Sequence, residues 1–215
     1  MDYKAEIEHV IKTRSFYQPI VGFLGSTKHN EKKFRDRLEA ILDSSGKGSF
    51  LIGGSNIGYN AFEIVRVGGN RVVGVEVKKE NVEFCNLLAK YHGFSSDNPL
   101  FVNNTIHGFL KKTSSTFDYS ILLMVFHHIF KEHLIPQCLE TMSLLATKSK
   151  YTFLSSRDKP WMKEKLNITY KEIPEYLIAN TEFTNWEEIP MPRRKNSGVP
   201  DIAFGLPIWK LWKES

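Results

Sequence analysis

The sequence predicts an α/β protein: a doubly wound, seven-stranded, mostly parallel sheet with an antiparallel C-terminal strand, preceded by an N-terminal helical cover. Three observations predict it. Apolar runs of strand length alternate with helical patterns through most of the 215 residues, and such alternation builds a parallel sheet with helices on both faces. Residues 117–125 form a strongly apolar run, as a strand buried on both faces requires. The last two strand patterns are joined by a Pro/Gly-rich stretch, 190–207, with no helical pattern, which suits an antiparallel pair at a sheet edge.

Residues 2–14 place Ile7, Val10 and Ile11 at helical spacing, and a loop with Pro19, Gly22 and Gly25 follows. Asn30 is placed to cap a second helix with Phe34, Leu38, Ile41 and Leu42 on one face. Gly46-Lys47-Gly48 then makes a turn. The expected organisation is therefore a helical cover over 1–45 and a main domain over 46–215. The main domain opens with a strand at 49–53 and a helix at 57–67, broken by Gly68-Gly69. A second strand spans 71–77. The next helix spans 79–92, with Val82, Cys85, Leu88 and Ala89 inward and Gly93 as its stop. A short strand at 100–102 follows Pro99, and the central strand covers 117–125. A helix over 132–147 contains Pro136, which belongs in the first turn or kinks it. Strands at 151–154, 183–189 and 208–212 complete the sheet, with a helix at 172–180 among them. Trp209 and Trp212 fall on opposite faces of the last strand, so at least one is core.

Hydrophobic residues are 41% and charged residues 25% of the chain, enough apolar material for a buried core. The net charge of +5 is compatible with an anionic partner and does not require one. Arg193-Arg194-Lys195 reads first as a solvated loop, with a phosphate contact as the alternative. Cys85 and Cys138 lie in apolar helical patterns and show no metal-ligand spacing, so reduced, buried thiols are expected, with no metal. That usage points to a reducing, cytoplasmic compartment. No apolar stretch is long enough to span a bilayer, and the charged N-terminus does not read as a signal peptide.

Between the first two strands lies Gly53-Gly54-Ser55-Asn56-Ile57-Gly58, and the second strand carries Glu76 near its end. A glycine turn entering a helix lets a ligand approach the backbone closely. An acid ending the next strand can accept hydrogen bonds from both hydroxyls of a ribose. Gly58 and Glu76 are 76 − 58 = 18 positions apart, near the roughly 20 of nucleoside-binding βαβ units. The glycines do not fit GxGxxG, because the middle one is missing, which disfavours a nicotinamide cofactor.

The strand count, the closing antiparallel pair and this turn resemble the class I S-adenosylmethionine-dependent methyltransferases, with their Rossmann-like fold. The likeness covers roughly 46–213. Its carriers are the motif-I-like 50–60, the motif-II-like Val73-Gly74-Val75-Glu76-Val77, and 117–128 as the motif IV region. Asn56-Ile57-Gly58-Tyr59-Asn60 is similar to FkbM-type O-methyltransferases and to some tRNA-modifying relatives. The resemblance implies S-adenosylmethionine as cofactor. It places Gly53, Gly54, Ser55, Asn56 and Gly58 at the methionyl turn, Glu76 on the ribose and Val77 on adenine. Asn104 and Thr105 fall near the adenine amine, and Met124, with Val125, near the sulfonium. Two family acids are absent: Ile52 (or Leu51) stands where motif I has a carboxylate, and Asn104-Thr105 has none. Each absence removes a charge-assisted hydrogen bond, typically ~1.5–3 kcal/mol.

Methyl transfer from a sulfonium is an in-line displacement, so positioning does much of the catalysis. A hydroxyl acceptor adds the need for a general base. His127 and His128, after the central strand, are the candidate bases, against the plainer reading that one packs under the sheet. Tyr17-Gln18 could close over the cofactor's carboxylate, although an amphipathic contact with the sheet is the simpler reading. Trp161, Trp186, Arg157, Arg193 and Arg194 read as packing or solvated residues before substrate contacts. The expected acceptor is a small molecule or a sugar-like hydroxyl. The alternatives are an RNA or tRNA acceptor, and a non-catalytic binding protein on the same fold.

Overall fold

A computed structural model describes residues 2–23, 31–190 and 206–214. The sheet has seven strands: β1 (Ser49–Gly53), β2 (Arg71–Glu76), β3 (Leu100–Asn103), β4 (Phe117–Leu123), β5 (Ser149–Ser155), β6 (Asn185–Ile189) and β7 (Ile208–Trp212). Their order is β3-β2-β1-β4-β5-β7-β6. The first five run parallel, while β7 is antiparallel to both β5 and β6. This is the doubly wound, mostly parallel sheet with an antiparallel closing strand that the sequence predicts.

Alternation along each strand divides the core between two faces. Phe50, Ile52, Val72, Ile121 and Phe153 pack on one side with Ile7, Leu38 and Ile41 from the cover helices α1 (Tyr3–Thr13) and α2 (Glu31–Asp43). α3 (Tyr59–Arg66) and α4 (Lys79–His92) share that layer. Phe16 of the cover stacks on Phe84 of α4 at 5.0 Å, and Arg14 bonds the Asn81 side chain at 2.8 Å. Leu51, Val73, Val75, Leu122, Leu154 and Trp209 point the other way. They meet α5 (Ile106–Lys112), α6 (Phe126–Glu132), α7 (Ile135–Lys148), α8 (Pro160–Leu166) and α9 (Ile173–Asn180). Trp209 is the buried member of the tryptophan pair, and Trp212 is half-buried on the opposite face against Tyr151. Cys85 and Cys138 are free and buried.

Several boundaries differ from the sequence expectation. The central strand stops at Leu123, because Met124 adopts a left-handed φ of 62° and Val125 already caps α6. The second strand ends at Glu76, leaving Val77 outside it. The helix expected over 57–67 begins at Tyr59. The one expected over 132–147 is two elements: α6 closes at Glu132, and α7 opens at Ile135 with Pro136 in its first turn. There its missing N–H costs nothing. α5, α6 and α8 were not expected as helices. Each has seven residues, too few repeats of a 3.6-residue period to stand out. The cap expected at Asn30 and the basic run Arg193-Arg194-Lys195 lie outside the described residues. Among the described residues no helix is long and apolar enough to cross a membrane.

Candidate active site

In this strand order β1 has β2 on one side and β4 on the other. The crossover direction reverses there, and open α/β sheets bind ligands beyond the carboxyl ends of their strands at such a point. A cavity of about 500 Å³ opens at that place, within the size range of small-molecule sites.

The β1–β2 wall is built largely by backbone. Gly54 carries a left-handed φ of 66°, and a Cβ there would meet Val125 Cγ2 at 2.7 Å. Any side chain would therefore close the gap between the β1 turn and the start of α6. Asn56, also left-handed at φ 52°, donates its backbone N–H to Glu76 Oε2 at 2.9 Å. Lys78 N–H donates to Glu76 Oε1 at 3.0 Å. Each carboxylate oxygen thus holds one backbone donor and keeps acceptor capacity for another. Glu76 is only 6% exposed and still lines the cavity. Beside it Val77 is 63% exposed, an apolar side chain at the rim. Asn104 and Thr105 complete this wall: Asn104 Oδ1 accepts from Thr105 N–H, and Thr105 Oγ1 accepts from Gly108 N–H at the start of α5.

The β4–β5 wall is built from side chains. Met124, His127 and His128 line it, with Arg157 beyond β5. The two imidazoles lie 4.3 Å apart, centroid to centroid. His127 is buried, and its Nδ1 lies 3.5 Å from Ser156 Oγ. Its Nε2 has no hydrogen-bond partner among the described residues. Burial first, then the charges of His128, Lys159 and Arg157, push the His127 pKa down to about 4. The ring is therefore neutral at neutral pH and able to accept a proton. His128 is exposed. His107 is tied down by Thr141 Oγ1 at 3.0 Å and lies 3.6 Å from Glu140.

The structure thus brings Gly54, Asn56, Glu76, Val77, Asn104, Thr105, Met124, His127 and His128 around one cavity. Gly53 lies instead on a smaller neighbouring cavity. Ser55 and Gly58 line neither. Ser55 is buried, with its N–H donated to Val75 O. Gly58 caps α3 at a left-handed φ of 81°, and a Cβ there would strike the Phe101 and Phe62 rings at 2.8 and 2.9 Å. Its glycine serves the packing of α3 against β3. Among the tryptophans, Trp209 is core, and none lines the main cavity.

Sequence reasoning missed Arg37. This side chain is 4% exposed and borders the smaller cavity with Gln18, Ile52 and Gly53. A signal existed: Phe34, Arg37, Leu38 and Ile41 follow helical spacing, so an arginine stands on the apolar stripe of α2. Tyr17 and Gln18 line both cavities, so the cover forms part of the site wall.

Neither a protein-family model nor a curated protein sequence matches the chain. Solved structures do, and they show the fold, which is shared with methyltransferases. The bifunctional kinase-methyltransferase WbdD superimposes with a TM-score of 0.71 at 20% identity, over 96% of this chain and 46% of WbdD. The chain therefore spans about half the length of that protein. The ribosomal protein L11 methylase of Lactobacillus delbrueckii subsp. bulgaricus matches with a TM-score of 0.57 at 13% identity, over 93% of this chain and 91% of its own. The magnesium protoporphyrin IX methyltransferase ChlM of Synechocystis PCC 6803, solved with bound SAM, gives 0.57 at 13% identity, over 100% and 98%.

Proposed function

We propose that this chain is a methyltransferase that binds S-adenosylmethionine against the β1–β2 wall and methylates a small-molecule acceptor, with a sugar-like hydroxyl the favoured class. The observation that carries the reading is Glu76: a buried carboxylate, fixed by two backbone N–H donors, that still faces a 500 Å³ cavity beside a left-handed glycine turn.

The residues present fit the cofactor. Glu76 retains acceptor capacity for ribose hydroxyls, and Val77 offers an apolar face for adenine. Gly54 leaves a gap that a Cβ would fill. When bound, S-adenosylmethionine supplies an activated methyl group. The chain's part is to orient the acceptor and manage its proton. His127, neutral and backed by Ser156, has its Nε2 available as the acceptor of a hydroxyl proton. A base with a pKa near 4 works best while a strong electrophile is drawing charge from the hydroxyl. His128 is the second candidate, exposed on the same wall.

The test is calorimetric titration with S-adenosylmethionine and S-adenosylhomocysteine, beside Glu76→Ala and an NAD control. Micromolar binding of both sulfur ligands, lost in the variant and absent with NAD, is the expected result. A folded protein that binds neither overturns the reading.

A further inference from the structure

Positive charge gathers beyond the end of β5. Arg157 stands two residues past that strand and lines the main cavity. The intervening Ser156 is the residue whose Oγ meets His127. Lys159 follows as the N-cap residue of α8. Among the described residues neither the Arg157 guanidinium nor the Lys159 ammonium has a hydrogen bond or an ion pair. Three other lysines on this half of the sheet do have carboxylate partners: Lys150 with Asp118, Lys210 with Glu187 and Lys213 with Glu182. Asp158 lies between the two cations in sequence, but its Oδ1 accepts from Tyr170 N–H at 2.8 Å. Two acids line the cavity, Glu76 and Glu132. Glu76 holds two backbone donors, and Glu132 is exposed at the end of α6. Lys33 of α2 brings a third cation near: burial first, then Arg37 and Arg157, lower its pKa.

We infer that Arg157, with Lys159 beside it, takes an anionic group of the acceptor, a carboxylate or a phosphate, and so holds the acceptor's hydroxyl at His127. This rests on the methyltransferase reading above and narrows its acceptor to a sugar-like molecule that bears an acid. An arginine keeps its charge in a protein, and its planar fork meets either anion through two parallel N–H donors. A neutral sugar would leave both cations uncompensated. The anion has a second effect on this wall. His127 is held neutral by burial and then by the charges of His128, Lys159 and Arg157. A negative group among those cations offsets them, so the base strengthens when the acceptor arrives.

The experiment follows the His127 and His128 ring signals by NMR while inorganic phosphate or acetate is added at constant ionic strength, with chloride as the blank. Saturable shifts with phosphate or acetate are expected, and the tighter of the two names the acid that the acceptor carries. Arg157→Gln should weaken that binding roughly tenfold or more, the cost of a hydrogen bond to a charged group. Lys159→Gln should act in the same direction, more weakly. Lys150→Gln makes the same change of charge at the opposite end of β5 and should have no effect. Phosphate should also move the wild-type His127 titration upward from about 4, and should do so less in Arg157→Gln. Equal responses to phosphate, acetate and chloride overturn the inference. So does an anion response that Arg157→Gln leaves intact, or one that Lys150→Gln weakens as much. S-adenosylhomocysteine affinity should be the same in wild type and all three variants. Wild type that does not bind S-adenosylhomocysteine overturns the methyltransferase reading itself, a different outcome from the preceding ones.

Discussion

The two walls of the cavity are made by different means. On the β1–β2 side the atoms that face the cavity are held by backbone: Glu76 is fixed by two main-chain N–H groups, and Gly54 and Asn56 sit in left-handed conformations. On the β4–β5 side the facing groups are Met124, two histidines and Arg157. Ser156 Oγ lies 3.5 Å from His127 Nδ1, the two imidazoles lie 4.3 Å apart, and the Met124 N–H donates to Ser155 O at 2.8 Å. A wall fixed by main chain suits a ligand that never changes. A wall of side chains can be re-cut for a different acceptor without disturbing the sheet.

The largest effect is expected from Glu76→Ala. It removes the acceptor for two backbone donors and for the proposed ribose contacts. At about 1.5–3 kcal/mol for each hydrogen bond to a charged group, affinity for S-adenosylhomocysteine should fall by two orders of magnitude or more. Titration checks this, and a variant that binds normally would break the contrast between the walls. Next, Gly54→Ala adds left-handed strain of about 1–2 kcal/mol and a collision with Val125. Gly93→Ala at φ 71° has open space around its Cβ and incurs only the strain. Both should lower the melting temperature, Gly54→Ala by more, and Gly54→Ala alone should weaken binding.

On the other wall, His127→Asn should leave S-adenosylhomocysteine affinity within a factor of about three while lowering turnover by about 10²-fold or more. Equal losses in both would show that the walls are not separable. His127 also predicts a pH dependence. Its folded pKa of about 4 lies below its unfolded value of 6.5. The unfolded chain therefore binds the proton first, and stability falls as pH drops from 6.5 towards 4. Above 6.5 this group contributes no slope. Thermal melts of wild type and His127→Asn across that window should diverge accordingly. The smallest effect is expected from Asp118, at the far end of the sheet. Lys150 and Ser49 hold its pKa down at about 2. Its stabilising contribution is present above 3.8 and is lost as pH falls towards 2, and Asp118→Asn should not alter ligand affinity.

The same contrast explains what the sequence disclosed. The β1–β2 wall was legible because its geometry calls for particular residues at particular spacings: a glycine where φ is positive, and an acid where a strand ends. The helix over 79–92 was legible to the residue, through its apolar spacing and Gly93. The β4–β5 wall was only half visible. His127 and His128 stood out as a pair, but the bend at Met124 was hidden inside an apolar run that reads as continuous strand. Arg37 was missed because α2 was read by its apolar residues, and the charged one among them was passed over. Its meaning depends on burial, which no spacing rule supplies.

The amide of Asn56 has a consequence for measurement. It hangs on Glu76 Oε2, the same carboxylate proposed to receive the ligand's ribose. A ligand that steadies Glu76 steadies this peptide group too, and one that bypasses Glu76 leaves it as it was. Deuterium uptake at that single N–H is therefore a gauge of occupancy on the β1–β2 wall. It needs no turnover and no knowledge of the acceptor, and acceptors that touch only the histidine wall should leave it unmoved.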